Sequence, residues 1–375
     1  MDTLIQKTKK VLLSPWLALI TFAVLLTVKL ANPYLVESTR LKFYDYLMLG
    51  SPTQSEQIVT VNIGEKAIEK YGQWPFPREV HAQIISDIYS RGATLVGSTI
   101  LMPESDRMGT DRVLADTLNQ YPVVLSQTVS DSCSRVSATI RRTGVAVVGD
   151  GEVTEFLPQY PCVLSNISVL QEAAVGVGIT STLPETDGVV RRVPLLAQSS
   201  GEYYPAFALE MLRVAAGDSS YQAKINQTGV EALRIPSFET IKTDEYGRTF
   251  INPNYQFPSY EIGADPLPVL SGKIVVLGVT AAGVSNPVAT PSGAQYPHQL
   301  QASILETLIN GDSVSIPNWT QLVDLAALLV LALSLIIISR LKYSIVWIGL
   351  ILGGYLYLPM YLFASKGILL DVTFN

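Results

Sequence analysis

The stretch IVTVNIGEKAIEKYGQWPFPREVHAQIISDIYSRGATLVGSTI, Ile58 to Ile100, carries the reading of the fold. It opens on QIVTVNIG, a β-branched and partly alternating segment, which is the pattern of a strand. EKAIEKYG follows as a short helix stopped by Gly72. Next comes an elbow. Each proline fixes its own φ and pushes the residue before it into an extended conformation, so Trp74, Pro75, Phe76 and Pro77 form a stiff corner that cannot be helical. Trp74 and Phe76 are expected to anchor this corner in the core, Trp74 mostly buried, with Arg78 and Glu79 opening the next helix. In that helix Val80, Ile84, Ile85, Ile88 and Tyr89 form a one-sided stripe, and Gly92 stands where a C-cap belongs. ATLVGSTIL then reads as a second strand.

The alternation continues along the chain. TDRVLADTLNQ reads as a helix and YPVVLSQTV as a strand. Strand, helix, strand, helix, strand at this spacing predicts a parallel sheet covered by helices, with strands apolar on both faces. From Ser130 to about Gly151 the pattern weakens, and an irregular or hairpin-like excursion is expected. VGVGITSTLPETDGVVRRVPLLAQ reads as two strands across a turn at Asp187-Gly188, because Asp-Gly accepts positive φ cheaply. YPAFALEMLRVAAG is a helix ending at Gly217, and VEALRIPSFETIKTDEYGRTFINP a set of short antiparallel strands. GKIVVLGVT is a buried strand, and PHQLQASILETLING a helix followed by Gly311. The fold class is therefore α/β: a mostly parallel sheet with flanking helices and an antiparallel annex, plus transmembrane α-helices.

Those helices come from composition. The 375 residues are 48% hydrophobic and 15% charged, with a mean hydropathy of +0.30, too apolar for an ordinary soluble protein. About 20 apolar residues span a bilayer. Spans are expected at 11–30, 320–339 and 343–364, the second with one acid, Asp324, near its start. Lys7, Lys9 and Lys10 precede the first, and Arg340 with Lys342 separate the other two, so these flanks, including residues 1–10, are expected in the cytoplasm. Residues 31–319 are then extracytoplasmic. Residues 365–375 look like the start of a further span, and the expectation is that this chain is part of a longer protein. Cys133 and Cys162, the only cysteines, both fall in the oxidising compartment, where a disulfide is expected.

The quoted stretch is also where a resemblance is carried. The order of strand, short helix ending in Gly, W-P-F-P-R elbow and helix ending in Gly-Ala resembles the start of the CHASE-type-2 domain, an extracytoplasmic sensory domain of bacterial signalling receptors. TDRVLADTL, the DGVVRRVPL segment from Asp187, and GKIVVLGVTAAGVSNPVATP (Gly272 to Pro291) match further blocks, from about Phe43 to Pro317. The resemblance implies a sensory and membrane-anchoring module in the bacterial inner membrane, main domain outside the cytoplasm. It also implies a relay to a cytoplasmic effector: an adenylate or guanylate cyclase, a diguanylate cyclase or a kinase. Three departures stand out. The family usually carries Asp at Gly64, Phe-Asp at Ser98-Thr99, and often Asp at Asn286. The three strand ends are expected to lie together at one sheet edge. Their lost acids favour a second reading, a structural subunit of an envelope complex or filament with envelope proteins as partners.

The residues offer little catalytic chemistry. A net charge of −6 with no basic footprint excludes nucleic acid. Neither His81 nor His298 sits in a cluster with metal-ligand spacing, so no metal and no cofactor are expected. GVGIT and GVTAAG fit neither dinucleotide nor P-loop patterns, and no G-x-S-x-G elbow occurs. No enzyme is expected within these residues. Arg78 of the elbow, Asn286, and Arg192 of the Arg191-Arg192 pair remain as ligand-binding candidates. The competing readings are architectural for the elbow and a structural ion pair for the arginines. The expected partners are the lipid bilayer and a second copy of the chain, as a homo-oligomer.

Overall fold

The computed structural model describes residues 15–131, 133, 143–150, 156–264, 266–314, 316, 320–338 and 344–370. The chain divides into two compact units. Met1–Met48 with Ser315–Asn375 form one, and Leu49–Val314 the other.

The first unit is helical: α1 (Pro15–Ala31), α2 (Tyr34–Met48), α9 (Thr320–Ile338) and α10 (Ser344–Lys366). Among the described residues one segment, Val346–Ser365 of α10, is long and apolar enough to cross a membrane. Many of its large apolar side chains point outward, among them Val346, Leu350, Leu356, Tyr357 and Tyr361, each at least half exposed. The other two expected spans appear as shorter apolar helical segments, Phe22–Ala31 and Leu322–Ser334. Residues 1–14 and 339–343, on which their outer ends and flanking charges fall, lie outside the described residues, as do 371–375. Of the further span expected to start over 365–375, the described residues show only that α10 ends at Lys366 and that Gly367 takes φ +63°. Within this unit Lys29 of α1 faces Asp324 of α9, 3.8 Å apart.

The second unit is a mixed α/β domain. Its central sheet has seven strands: β1 (Ile58–Ile63), β2 (Leu95–Ser98), β3 (Val123–Ser130), β4 (Cys162–Leu164), β5 (Gly176–Ile179), β6 (Ser259–Glu261) and β7 (Ile274–Val279). The spatial order is β6-β1-β7-β2-β3, with both β5 and β4 beside β3. Every pairing in it is parallel except β3 with β4. Side chains alternate strictly in burial partner. Val59, Val61, Ile63, Val96, Val123, Leu125, Val275 and Leu277 join one core. Ile58, Leu95, Val124, Ile274 and Val276 join the other. That alternation is the period-2 rule of a pleated strand buried on both faces.

Helices α3 (Glu65–Tyr71), α4 (Arg78–Ser90), α5 (Asp111–Gln120) and α6 (Ser168–Ala173) cover the first face with Ala67, Ile84, Ile85, Ile88, Leu114, Leu118 and Leu170. Helices α7 (Phe207–Ala216) and α8 (Pro297–Ile309) cover the second with Phe207, Leu209, Met211, Leu300, Ile304 and Leu305. Outside α7 lies a four-stranded sheet, Thr240–Lys242, Gly229–Arg234, Ser220–Asn226 and Gly144–Gly149. A buried cluster ties it down: Arg213 bonds Glu210 at 2.7 Å, and the Tyr221 hydroxyl donates to the same carboxylate.

Two expectations need correction. The annex is not one antiparallel sheet but several small ones. In the four-stranded sheet the outermost strand, Gly144–Gly149, runs parallel to its neighbour, and so do Gln159–Tyr160 beside Leu196–Ser199. Of the irregular or hairpin-like excursion expected from Ser130 to about Gly151, the described residues include the strand Gly144–Gly149, while 132 and 134–142 lie outside them. At Asp187-Gly188 the turn is there, with Gly188 at φ +82°, but its flanks do not pair with each other. β5 pairs with β3, whereas Arg192–Pro194 pairs with Arg248–Phe250. β5 is buried along its length, and a parallel partner in the central sheet satisfies it better than a solvent-side hairpin.

Candidate functional site

The connections of β7 single out one edge of the central sheet. Its neighbours β1 and β2 both lead at their carboxyl ends into helices on the first face, α3 and α5. β7 leads instead to α8 on the second face. The chain therefore parts at the carboxyl end of β7, the kind of crevice where open α/β sheets hold ligands.

The residues at this mouth are held by the strand ends themselves. Thr280 and Ala281 donate backbone N–H groups to the Ile63 carbonyl at 3.0 and 3.3 Å, and Thr99 donates both N–H and hydroxyl to the Leu277 carbonyl at 3.0 and 3.1 Å. Gly64 and Thr99 thus flank the end of β7. Asn286 lies farther along, in the exposed loop before Val288–Thr290. At Gly64 a Cβ would meet Glu261 Oε1 at 2.3 Å and Thr280 Oγ1 at 3.2 Å. The Glu261 carboxylate, presented by β6, fills the space a side chain at 64 would take, and accepts the Lys66 N–H at 3.1 Å. Glu65 accepts the Ala282 N–H at 2.8 Å.

Beside them His298, completely buried, lies across Gly278, where an added Cβ would stand 2.3 Å from the ring. Gly278 is glycine because the imidazole occupies its side-chain space. His298 Nε2 is 2.7 Å from Asn62 Oδ1. The Asn62 amide nitrogen donates to Ser259 Oγ at 2.8 Å, so Oδ1 is the acceptor, Nε2 carries the proton, and Nδ1 is left without a hydrogen bond. No group of three or more His, Cys, Asp or Glu among the described residues is arranged to hold a metal ion. The mouth offers hydrogen-bond donors and acceptors with two carboxylates tied to backbone N–H groups. A pocket of about 330 Å³ opens at the opposite, amino edge beside Gln57, Thr94, Pro122 and Gly272, and no charged side chain lines it.

The elbow is tied to architecture. Phe76 is fully buried and Trp74 partly buried. Trp74 packs edge-on against Phe76 (5.1 Å) and His81 (5.7 Å), and the Trp74–Pro75 peptide is cis. Arg78, 8% exposed, bonds the Glu104 carbonyl at 2.8 Å and approaches Asp111 at 3.5 Å, clamping the loop that leads into α5. Arg191 makes two 2.8 Å hydrogen bonds to Asp187, and these hold the Asp187 carboxyl below its usual range. Arg192 is bidentate to Glu185 at 2.6 and 2.7 Å, lies 3.6 Å from Asp244, and sits over the Phe250 ring. Its charge is matched by two carboxylates, the geometry of a structural ion pair.

His81 and His298 make the domain sensitive to acid. Burial drives both imidazoles down to about 4, helped at His81 by the Arg78 charge. The unfolded chain takes up these protons near the ordinary value of 6.5 while the folded domain does not. Stability is thus full above about pH 6.5 and falls as pH drops towards about 4. Melting temperature should decline between about pH 7 and about pH 5, less steeply in His298→Asn. A melting temperature independent of pH over that window would contradict neutral burial.

Comparison with known proteins gives one family. The family model described as the CHASE2 domain matches residues 17–338. No curated protein and no solved structure matches the chain.

Proposed function

The chain belongs to the CHASE2 domain family, and from that premise we propose that it is the sensory and membrane-anchoring module of a bacterial transmembrane signalling receptor. CHASE2 is an extracellular sensory domain family of signalling receptors, not a catalytic one, and the match spans most of the chain. That match carries the proposal. Two features support the placement. The outward-facing apolar side chains of Val346–Ser365 suit lipid and not water. The Cys133–Cys162 disulfide suits an oxidising compartment. In this reading the α/β domain stands outside the cytoplasmic membrane and its state is passed through the flanking helices to a cytoplasmic cyclase or kinase. A stimulus can bias such a relay only by as much as it prefers one state of the domain.

One observation favours the assembly-subunit alternative. Glu261 closes the space at Gly64, so the mouth at β7 is partly filled by the protein itself.

The placement is tested with Val269→Cys, at a position 78% exposed. A membrane-impermeant maleimide should label it in intact spheroplasts as fully as after lysis. Labelling only after lysis would overturn the extracytoplasmic placement. The relay is tested by assaying the natural gene product, in its own membrane, for nucleotide-cyclase or kinase activity. Their absence would favour the assembly reading.

A further inference from the structure

α8 opens on Pro297 after Tyr296, so His298 is the second residue of the helix. Its imidazole has no exposed surface and rests on Gly278 of β7, where an added Cβ would stand 2.3 Å from Cγ and 2.5 Å from Nδ1. Nε2 donates to Asn62 Oδ1 at 2.7 Å, and Nδ1 has no hydrogen-bond partner among the described residues. One side chain thus ties the first turn of α8 to two strands of the central sheet.

The seat suits the neutral ring. A proton on Nδ1 would set an N–H against the Cα of Gly278 with nothing to accept it, and burying such a donor is costly. It would also place a positive charge in the first turn of a helix, at the positive end of its dipole. The ring's partners carry no charge to offset this: they are Asn62, Gly278 and the Tyr296 ring, 6.3 Å away. β1, β2, β7 and the run 283–296 hold no charged residue. At the strand ends Glu261 and Glu65 accept the Lys66 and Ala282 N–H groups, and the Lys66 ammonium pairs with Glu69. On α7, Glu210 is bonded to Arg213. At the other end of α8, Glu306 accepts from Ser55, and Tyr255 donates to Asp312.

The turn that His298 fastens can lift without opening the core. Ser292 to Ala294, just before it, are exposed, and Tyr296 and Pro297 are half-buried. The apolar anchors Ile304 and Leu305 lie in later turns. α8 is also the last helix of the domain, which the chain leaves at Val314. Burial holds the seated imidazole down at about 4, against an ordinary 6.5. Below about pH 6.5 a released ring takes up a proton that the seated one refuses, so release grows as pH falls towards about 4. That preference for one state is what a stimulus needs to shift an equilibrium. We propose that His298 is a proton-operated latch: its neutral ring on Gly278 holds the first turn of α8 down, and protonation frees it. Resting on the receptor reading above, this makes acid outside the cytoplasm a stimulus of the domain.

Hydrogen–deuterium exchange of the full chain in nanodiscs, corrected for the pH dependence of intrinsic exchange, reads the opening of residues 296–301. The opening constant should rise about twentyfold between about pH 7 and about pH 5, while Ile58–Ile63 and Ile274–Val279 stay protected. His298→Gln should remove the rise, and His81→Gln, at the other buried histidine, should keep it. Gly278→Ala should unseat the ring and open the turn already at about pH 7. An opening constant independent of pH would overturn the latch, as would a rise shared with the central strands or abolished by His81→Gln. So would a folded His298→Gln protein that keeps the rise, or a folded Gly278→Ala protein that stays closed. If those two variants do not fold, the wild-type and His81→Gln profiles decide. Exchange needs no effector, so missing cyclase or kinase activity counts against the receptor and leaves the latch. A turn indifferent to pH removes the latch and leaves the receptor with another stimulus.

Discussion

Phe76→Ala is expected to lower the unfolding free energy of the α/β domain by about 3–5 kcal/mol, the cost of a large cavity in a packed core. Phe76 has no exposed surface and lies between α3 and α4, its ring 5.7 Å from Tyr71, 5.1 Å from Trp74 and 6.1 Å from His81. The prolines on either side hold the backbone in place, so the surroundings are poorly able to collapse into the space left behind. Trp74→Ala should cost roughly half as much, because that side chain is already partly in water and leaves a smaller void. Urea denaturation of the full chain in detergent, following the domain by circular dichroism, measures both. A loss below about 1 kcal/mol for Phe76→Ala would show that the elbow is not a core wedge.

The contrast between Phe76 and Trp74 marks how far the sequence could be read. Local pattern placed β1, α3, the elbow, α4, β2, α5 and β3 in order, because helical stripes, strand alternation and glycine stops all act over a few residues. It could not rank two aromatics two positions apart, since which of them is covered depends on neighbours from elsewhere in the chain. Asp187-Gly188 failed in the same way. The turn chemistry was correct, but strand partners are chosen by the whole sheet, and β5 found β3 instead of the segment across the turn. The mouth at β7 was legible only in outline. Gly64 and Thr99 could be placed at strand ends, yet nothing local joins Asn62 to His298, 236 residues away. Nor does anything local say that Glu261 lies in the space beside Gly64. The one clue was Gly278, a glycine within an otherwise apolar β-branched strand, where such a residue marks close approach by something else.

Removing the Cys133–Cys162 bridge should cost the domain about 3–4 kcal/mol, the loop-closure entropy returned to an unfolded chain by opening a loop of about 30 residues. The sequence separation is 29 and the Cα atoms lie 5.5 Å apart, in the middle of the range that disulfides span without moving the backbone. The location adds leverage. Ser130, three residues before Cys133, pairs with Cys162 at the end of the β3–β4 ladder, so the bridge fastens the chain leaving β3 to the one strand that runs antiparallel in the central sheet. Cys133→Ala/Cys162→Ala and dithiothreitol treatment of the wild type should produce the same loss, because each removes one constraint and little packing. Dithiothreitol should leave the double variant unaffected. Alkylation of protein taken directly from its native membrane, without reductant, provides the independent check. Two iodoacetamide adducts on the wild type would mean free thiols, and would remove both the stabilisation and the disulfide's support for a domain outside the cytoplasm.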